Sequence, residues 1–268
     1  MHVRITSCLF RSFLLVLVGS TFLFSQTPVS DPQALSLAAQ AMAALTNGNA
    51  VSDITLTGSV TWVAGSDNET GTATLQAKGI GESRVNLNLS GGPRTEIRND
   101  VASTFPQGAS IENGGSKQPW ALHRCWINAS WFYPALSFLS VTSDPSLIFS
   151  YVGQENRGGA NVQHLRVFRY LAAQKPAFAT VTQRVSTADF YLASTSLLPV
   201  ALVFNAHPDD DAYTDISIEI DYFNYQTVNG VRIPFHIQKL VSGGLALDAV
   251  VTGISVNSGL SDDLFAIQ

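Results

Sequence analysis

The chain is short of the residues from which most catalytic and metal centres are built. Two cysteines occur in 268 residues, Cys8 and Cys125, and they form no C-x-x-C pair. Cys8 lies in an N-terminal stretch expected to be removed, so no intramolecular disulfide is expected and the core has to hold without one. G-x-S-x-G, H-E-x-x-H and P-loop patterns are missing as well. The histidines beyond that stretch, His123, His164, His207 and His236, each stand apart from a carboxylate or second histidine at ligand spacing. No catalytic residue, metal ligand or cofactor is therefore assigned, and the expectation is a non-enzymatic protein.

Charge is scarce too. Charged residues make up 13 % of the chain, against about 25 % in ordinary soluble domains. The 15 Lys and Arg residues form no cluster, and the formal net charge is -5. A nucleic-acid partner is excluded on that basis. Ser, Thr, Asn and Gly fill the gap, which suits an exported β-rich domain.

The one long apolar run is Phe13 to Phe24. It follows a short n-region with Arg4 and Arg11 and no acid, and it falls short of the roughly 20 residues that span a bilayer. Residues 1 to about 25 thus read as a secretory signal peptide cleaved near Ser25. An uncleaved anchor is the alternative, and the Pro28 and Asp31 stop speaks against it. No cysteine sits just after the run, so no lipid anchor is expected, and a single periplasmic or secreted domain spans 26–268.

Asp31-Pro32 supplies an N-cap acceptor and a proline suited to the first helical position. Leu35, Ala38, Met42 and Leu45 then recur at helical spacing up to the Asn47-Gly48 stop. From Ile54 the period becomes two: Ile54, Leu56, Val60 and Trp62 on one face, threonines and serine on the other. Alternation continues through Thr70 to Lys78, Val85 to Leu89 and a shorter run at Thr95 and Ile97, giving four antiparallel strands. Residues 101–119 lack periodicity and read as a long exposed loop. Trp120, Trp126, Trp131, Phe132, Tyr133, Leu136, Phe138 and Leu139 then crowd together, and a short helix from about Ala129 to Val141 is expected as a plug or lid.

Strands follow at Leu147 to Val152 and Val162 to Tyr170, a polar segment at 172–188 interrupts the pattern, and Phe190 to Ala193 and Val200 to Asn205 form the next pair. Ile216, Ile218, Ile220 and Tyr222 alternate with polar residues. Asn229-Gly230 is a type I′ hairpin signal, Pro234 marks an edge or bulge in the strand after it, and Leu245 to Val256 closes the series. About ten to twelve antiparallel strands and two principal helices result: a mainly β, α+β chain.

Three local features invite chemistry. Asp209-Asp210-Asp211 beside His207 offers hard oxygens for Ca²⁺ but lacks the alternating spacing of a calcium loop, so a solvated turn is the reading. Cys125 next to Arg124 has a cation that favours thiolate, while its apolar neighbours argue for a buried small side chain. The aromatic stretch is either plain core or the cover of an apolar cavity.

The run Asp221 to Ile237 (DYFNYQTVNGVRIPFHI), with Leu198 to Leu202, Asn257 and Asp263-Leu264-Phe265, resembles the C-terminal part of proteins related to the outer-membrane lipoprotein carrier (LolA/LolB-like), as a divergent exported bacterial member. The resemblance implies an unclosed antiparallel β half-barrel whose concave face is covered by an N-terminal helix and the central aromatic helix. It also implies a lipid, acyl-chain or lipoprotein ligand and transient contact with a membrane or envelope protein. The segments 101–119 and 172–188 are longer than a minimal carrier needs. On that scaffold Trp62, Leu75, Trp131, Phe132, Leu136, Phe138 and Phe235 are the candidate ligand-binding residues. An envelope interaction domain without ligand, and an exported hydrolase, are the other readings.

Overall fold

The computed structural model describes residues 27–100, 105–127, 129–171 and 175–267; the expected signal peptide and its cleavage site lie outside the described residues. The strands are β1 (Asp53–Ala64), β2 (Asp67–Lys78), β3 (Glu82–Leu89), β4 (Gly92–Asn99), β5 (Gln107–Glu112), β6 (Gln118–Pro119), β7 (Leu147–Arg157), β8 (Ala160–Arg169), β9 (Ala188–Ala193), β10 (Pro199–Ala206), β11 (Ile216–Val228), β12 (Val231–Val241) and β13 (Gly244–Val256). They form one 13-stranded antiparallel sheet in the order β6-β5-β4-β3-β2-β1-β13-β12-β11-β10-β9-β8-β7. The two end strands do not pair, so the sheet curves without closing. The α-helices are α1 (Pro32–Thr46), α2 (Pro134–Ser143) and α3 (Pro176–Ser186), with 3₁₀ turns η1 (Leu122–Cys125) and η2 (Asp262–Phe265).

The half-barrel expected from the sequence is present, with corrections in detail. The strand count is 13, above the expected ten to twelve, and a third α-helix joins the two expected. Part of 101–119 is not loop: β5 pairs with β4 from Arg94↔Glu112 to Asn99↔Gln107, and β6 pairs with β5. These strands escape periodicity because they are short and polar. Part of 172–188 is α3, whose Thr182, Val185 and Ser186 are buried. The aromatic helix starts at Pro134 and not at Ala129, since Tyr133 before the proline is held in extended backbone (φ −134°, ψ 98°).

In α1 the Asp31 carboxylate caps Gln33 N at 2.8 Å, and Asn47 ends the helix in the left-handed region. Its buried stripe is Ala34, Ala38, Ala41 and Leu45, whereas Leu35 is exposed and Met42 only half-buried. Small residues face inward because α1 lies close against α2, β7 and β12. At Asn229-Gly230 both residues have positive φ (50° and 81°), the requirement of a type I′ turn. Pro234 lies where β12 pairs only with β11; pairing with β13 begins at His236↔Val250, so the proline sits on a local edge.

The inner face carries Leu56, Leu75, Val85, Leu87, Phe190, Leu202, Phe204, Ile220, Ile237 and Leu247, all buried, with Phe132, Tyr133, Leu136 and Phe138 packed onto them. The resembling C-terminal residues are scaffold. Asn257 Oδ1 accepts from Ser52 N at 2.8 Å and its amide donates to Ala50 O at 2.8 Å. Phe265 is fully buried, on the outer side of β3 and β4, where Arg84 and Asn99 donate to the Leu264 and Phe265 carbonyls. Among the described residues no helix is long and apolar enough to cross a membrane.

Candidate functional site

Strand phase places three charged residues on the inner face of β4: Arg94, Glu96 and Arg98, opposite Leu87, Val85 and Ser83 of β3. Between this charged row and β10 to β12 lies the aromatic segment. Arg98, fully buried, holds it. Its guanidinium donates to the carbonyls of Arg124 (3.4 Å), Cys125 and Ile127 (2.8 Å) and lies 5.7 Å from the Trp120 ring. From the other side Tyr222 donates its hydroxyl to the Trp131 carbonyl at 2.5 Å. Burial pushes the pKa of that phenol well up, so it remains a donor.

Three neighbouring clefts follow the segment. A cleft of about 90 Å³ is walled by Val85, Glu96, Trp120, Trp131, His207 and Lys239 among others. It shares Val85, Glu96, Trp131 and Lys239 with one of about 80 Å³ that also reaches Trp62, Arg94 and Leu247. It shares Arg98, Ile127 and Ala129 with a third of about 70 Å³ beside Cys125, Trp126 and Phe190. A wider depression of about 420 Å³ lies outside these clefts, open to solvent near Phe105, Leu122 and Ile267.

Of the seven residues singled out in the sequence, the structure brings Trp62 and Trp131 to one cleft wall. Phe132 meets Trp131 edge-on at 5.5 Å, and Phe138 packs on Phe190 at 4.5 Å. Phe132, Leu136, Phe138 and Leu75 are buried in the core, and Phe235 is half-buried against it. The polar wall adds Glu96 and Lys239, which no local motif marks, and His207 and Trp120, which the sequence marks without assigning them to a ligand. Lys239 was discoverable, since it continues the inward phase of Ile233, Phe235 and Ile237. Its ammonium sits 5.2 Å from the Trp131 ring centre.

The histidines are not isolated in space, a correction that cross-strand register explains. His164, buried on the outer face, has Nδ1 2.5 Å from Glu155 and Nε2 2.8 Å from Asp189. His236 faces Asp248 at 2.6 Å. Neighbours along the ladder are far apart in sequence, so no local motif announces them. Cys125 is buried, and burial pushes its thiol pKa up despite Arg98 and Arg124; this is the setting of an inert side chain. Asp209 accepts from Ala121 N and Arg124, each at 3.0 Å, and Asp211 from Tyr213 N and the Thr214 hydroxyl. The acidic triplet thus braces loops, and no group of three metal-ligating side chains occurs among the described residues.

An open antiparallel half-barrel with a helix-covered inner face defines a recognisable fold class. No protein-family model and no curated protein sequence matches the chain. Solved structures do. A domain from Vibrio parahaemolyticus, described as an outer membrane lipoprotein-sorting protein domain, superposes with TM-score 0.56 at 10 % identity over 87 % of this chain and 96 % of its own. A DUF1329 family protein from Desulfovibrio piger gives 0.54 at 11 % over 87 % and 96 %. A LolA superfamily protein from Nitrosomonas europaea gives 0.50 at 11 % over 87 % and 97 %. The chain has the LolA-like fold, as the resemblance in its sequence implied.

Proposed function

We propose that the chain is an exported, non-enzymatic protein that binds a hydrophobic ligand (a lipid, an acyl chain or the lipid of a lipoprotein) inside the half-barrel and serves as its carrier. The observation that carries this reading is the row of neighbouring clefts around Trp131, apolar over most of their walls, beside a segment rich in aromatic and aliphatic side chains. The clefts hold about 90, 80 and 70 Å³, well below the roughly 300–1,000 Å³ of ordinary ligand pockets. An acyl chain is therefore admitted as the aromatic segment moves outward. Phe132, Leu136 and Phe138 then line the opened space from above, Leu75, Trp62 and Phe235 from the sheet, and Trp131 between them.

Export supports the same reading: cleavage near Ser25 delivers a diffusible domain of residues 26–268 to the periplasm or beyond, where contacts with membrane or envelope proteins are transient. Native mass spectrometry of the purified protein, with lipid extraction and an added fatty-acyl probe, tests it. A bound apolar species is expected; if neither extraction nor the probe yields one, the reading is wrong. A second reading, an envelope interaction domain without ligand, draws on how completely the inner face is filled by the chain's own side chains. It predicts a protein that captures no acyl probe at any concentration below the probe's own aggregation.

A further inference from the structure

The polar wall of the clefts has free hydrogen-bonding capacity, most of it on donors. Trp62 Nε1 and Trp120 Nε1 are buried, and neither has a hydrogen-bond partner among the described residues. Trp120 lines the cleft of about 90 Å³ and Trp62 the adjoining one of about 80 Å³. An indole N–H only donates, so each must be met by an acceptor to recover the cost of its burial. Lys239 lines both clefts, offers three more donors, and makes no ion pair among the described residues; its ammonium faces the Trp131 ring.

The other cations nearby are engaged. Arg94 bonds Glu69 at 3.0 Å, Arg124 bonds Asp209 at 3.0 Å, and Arg98 is taken up by three carbonyls. His207 is nearly fully buried in the same wall. Its Nδ1 lies 3.0 Å from the Thr214 carbonyl and 3.5 Å from Asp215, while Nε2 has no partner among the described residues. The bond to Thr214 places the proton on Nδ1, which leaves Nε2 free to accept from a hydroxyl. One carboxylate, Glu96, lines both clefts; it repels an anion beside it, a doubly charged one more than a singly charged one, so the donors opposite must outweigh it.

Resting on the apolar-ligand reading above, we propose that the ligand is a single-chain amphiphile with a singly charged, acceptor-rich anionic head, a carboxylate or a phosphodiester. That head is received by Lys239 and the indole N–H groups of Trp120 and Trp62. The acyl chain runs under the aromatic segment, and the head stays at the β4 side of the clefts.

The test is displacement of an uncharged fluorescent probe, N-phenyl-1-naphthylamine, from the purified protein by four amphiphiles with equal saturated chains: palmitate, a lysophosphatidylglycerol, hexadecanol and hexadecyltrimethylammonium. Palmitate or the lysophospholipid, or both, displace the probe at about tenfold lower concentration than the alcohol or the cation, since one hydrogen bond to a charged group is worth about that factor. The ranking of the two anions tells a free fatty acid from a phospholipid. Lys239→Met brings the anions to within about threefold of the alcohol measured on the same variant, and Trp120→Phe narrows that ratio in the same direction. If all four compete equally with the unaltered protein, the head-group inference is wrong while the apolar reading stands. If neither the probe nor any amphiphile binds, both fall together. The comparison among ligands on the unaltered protein requires no variant to fold.

Discussion

Replacing Arg98 by Met removes the donor that holds the aromatic segment to the sheet. The guanidinium is fully buried and serves the carbonyls of Arg124, Cys125 and Ile127. Burial itself opposes its charge and pulls its pKa down, so the substitution also relieves a desolvation cost of several kcal/mol. Against that relief stand the buried Cys125 carbonyl and the part-buried carbonyls of Ile127 and Arg124 left without this donor, at about 1–3 kcal/mol for each one kept from water, and the lost contact with the Trp120 ring. The methionine stem replaces most of the apolar contact. The balance is a loss of about 2–4 kcal/mol, which for a domain of this size lowers the Tm by roughly 5–15 °C.

Two assays separate local release from general unfolding. Trp120, Trp126 and Trp131 lie in the segment, so near-ultraviolet dichroism should weaken while the far-ultraviolet β signal persists. Cys125, buried with its thiol pKa raised, should resist a thiol reagent in the unaltered protein and react in the Arg98→Met variant below its Tm. A variant whose Tm stays within about 1 °C and whose Cys125 remains unreactive would refute the role given to Arg98.

Asp53 is buried, which pushes its pKa up, yet hydrogen bonds from the N–H groups of Gly259 and Ser258 and the hydroxyls of Ser258 and Ser52 bring it below the usual value. Its contribution is therefore complete above about pH 4, the unfolded value, and lost as pH falls further; Asp53→Asn should cost about 1–3 kcal/mol at pH 7 in urea unfolding and remove part of the acid dependence. Asp221 behaves oppositely, because burial first, then the charge and hydrogen bond of Glu219, push it up to about 6 against the pull of Arg157. Stability should decline as pH rises from about 4 to 6, and Asp221→Asn should flatten that decline and add roughly 1 kcal/mol at pH 7 once solvent screening of this half-exposed group is allowed for; an unchanged slope would count against it. Phe138→Ala, which removes a fully buried ring packed 4.5 Å from Phe190, should cost about 3–5 kcal/mol by denaturant titration, and a cost under 1 kcal/mol would mean that α2 is not part of the cooperative core.

Backbone chemistry was legible wherever one residue type dictates one conformation: the Asp31 cap, the Asn229-Gly230 turn, the alternation of Ile216 to Tyr222. Packing between elements was not. In α1 Ala38 and Leu45 face inward as expected, but Ala34 and Ala41 replace Leu35 and Met42 because alanines fit the close approach to α2, and that approach is invisible along a single helix. β5 and α3 were hidden by polar composition, since Gly108 and Ala109 or Thr182 and Ser186 carry little hydrophobic signal although they are buried. The aromatic members of the site could be read from crowding, whereas its charged wall depends on which phase of β4 and β12 faces inward. The carboxylate partners of His164 and His236 depend on register alone.

The unpaired seam between β6 and β7 gives the sheet an adjustable girth. A closed barrel fixes its diameter through strand number and stagger, so swelling it means breaking ladder bonds. Here the two rims can separate with every strand pair intact, against side-chain packing and the tethers of α1, Arg98, Asp209 and Tyr222. Capacity is then a matter of how much packing a guest can replace. The same seam leaves β7 as a rim strand that could recruit a foreign strand. Part of it is already occupied, since Asp31 N donates to the Phe149 carbonyl and Phe149 N donates to the Ser30 hydroxyl. A bulge between Tyr151 and Gly153 then turns the remainder out of line. The residues that lead into α1 thus act as a selvedge, keeping an extensible sheet from being extended by its neighbours.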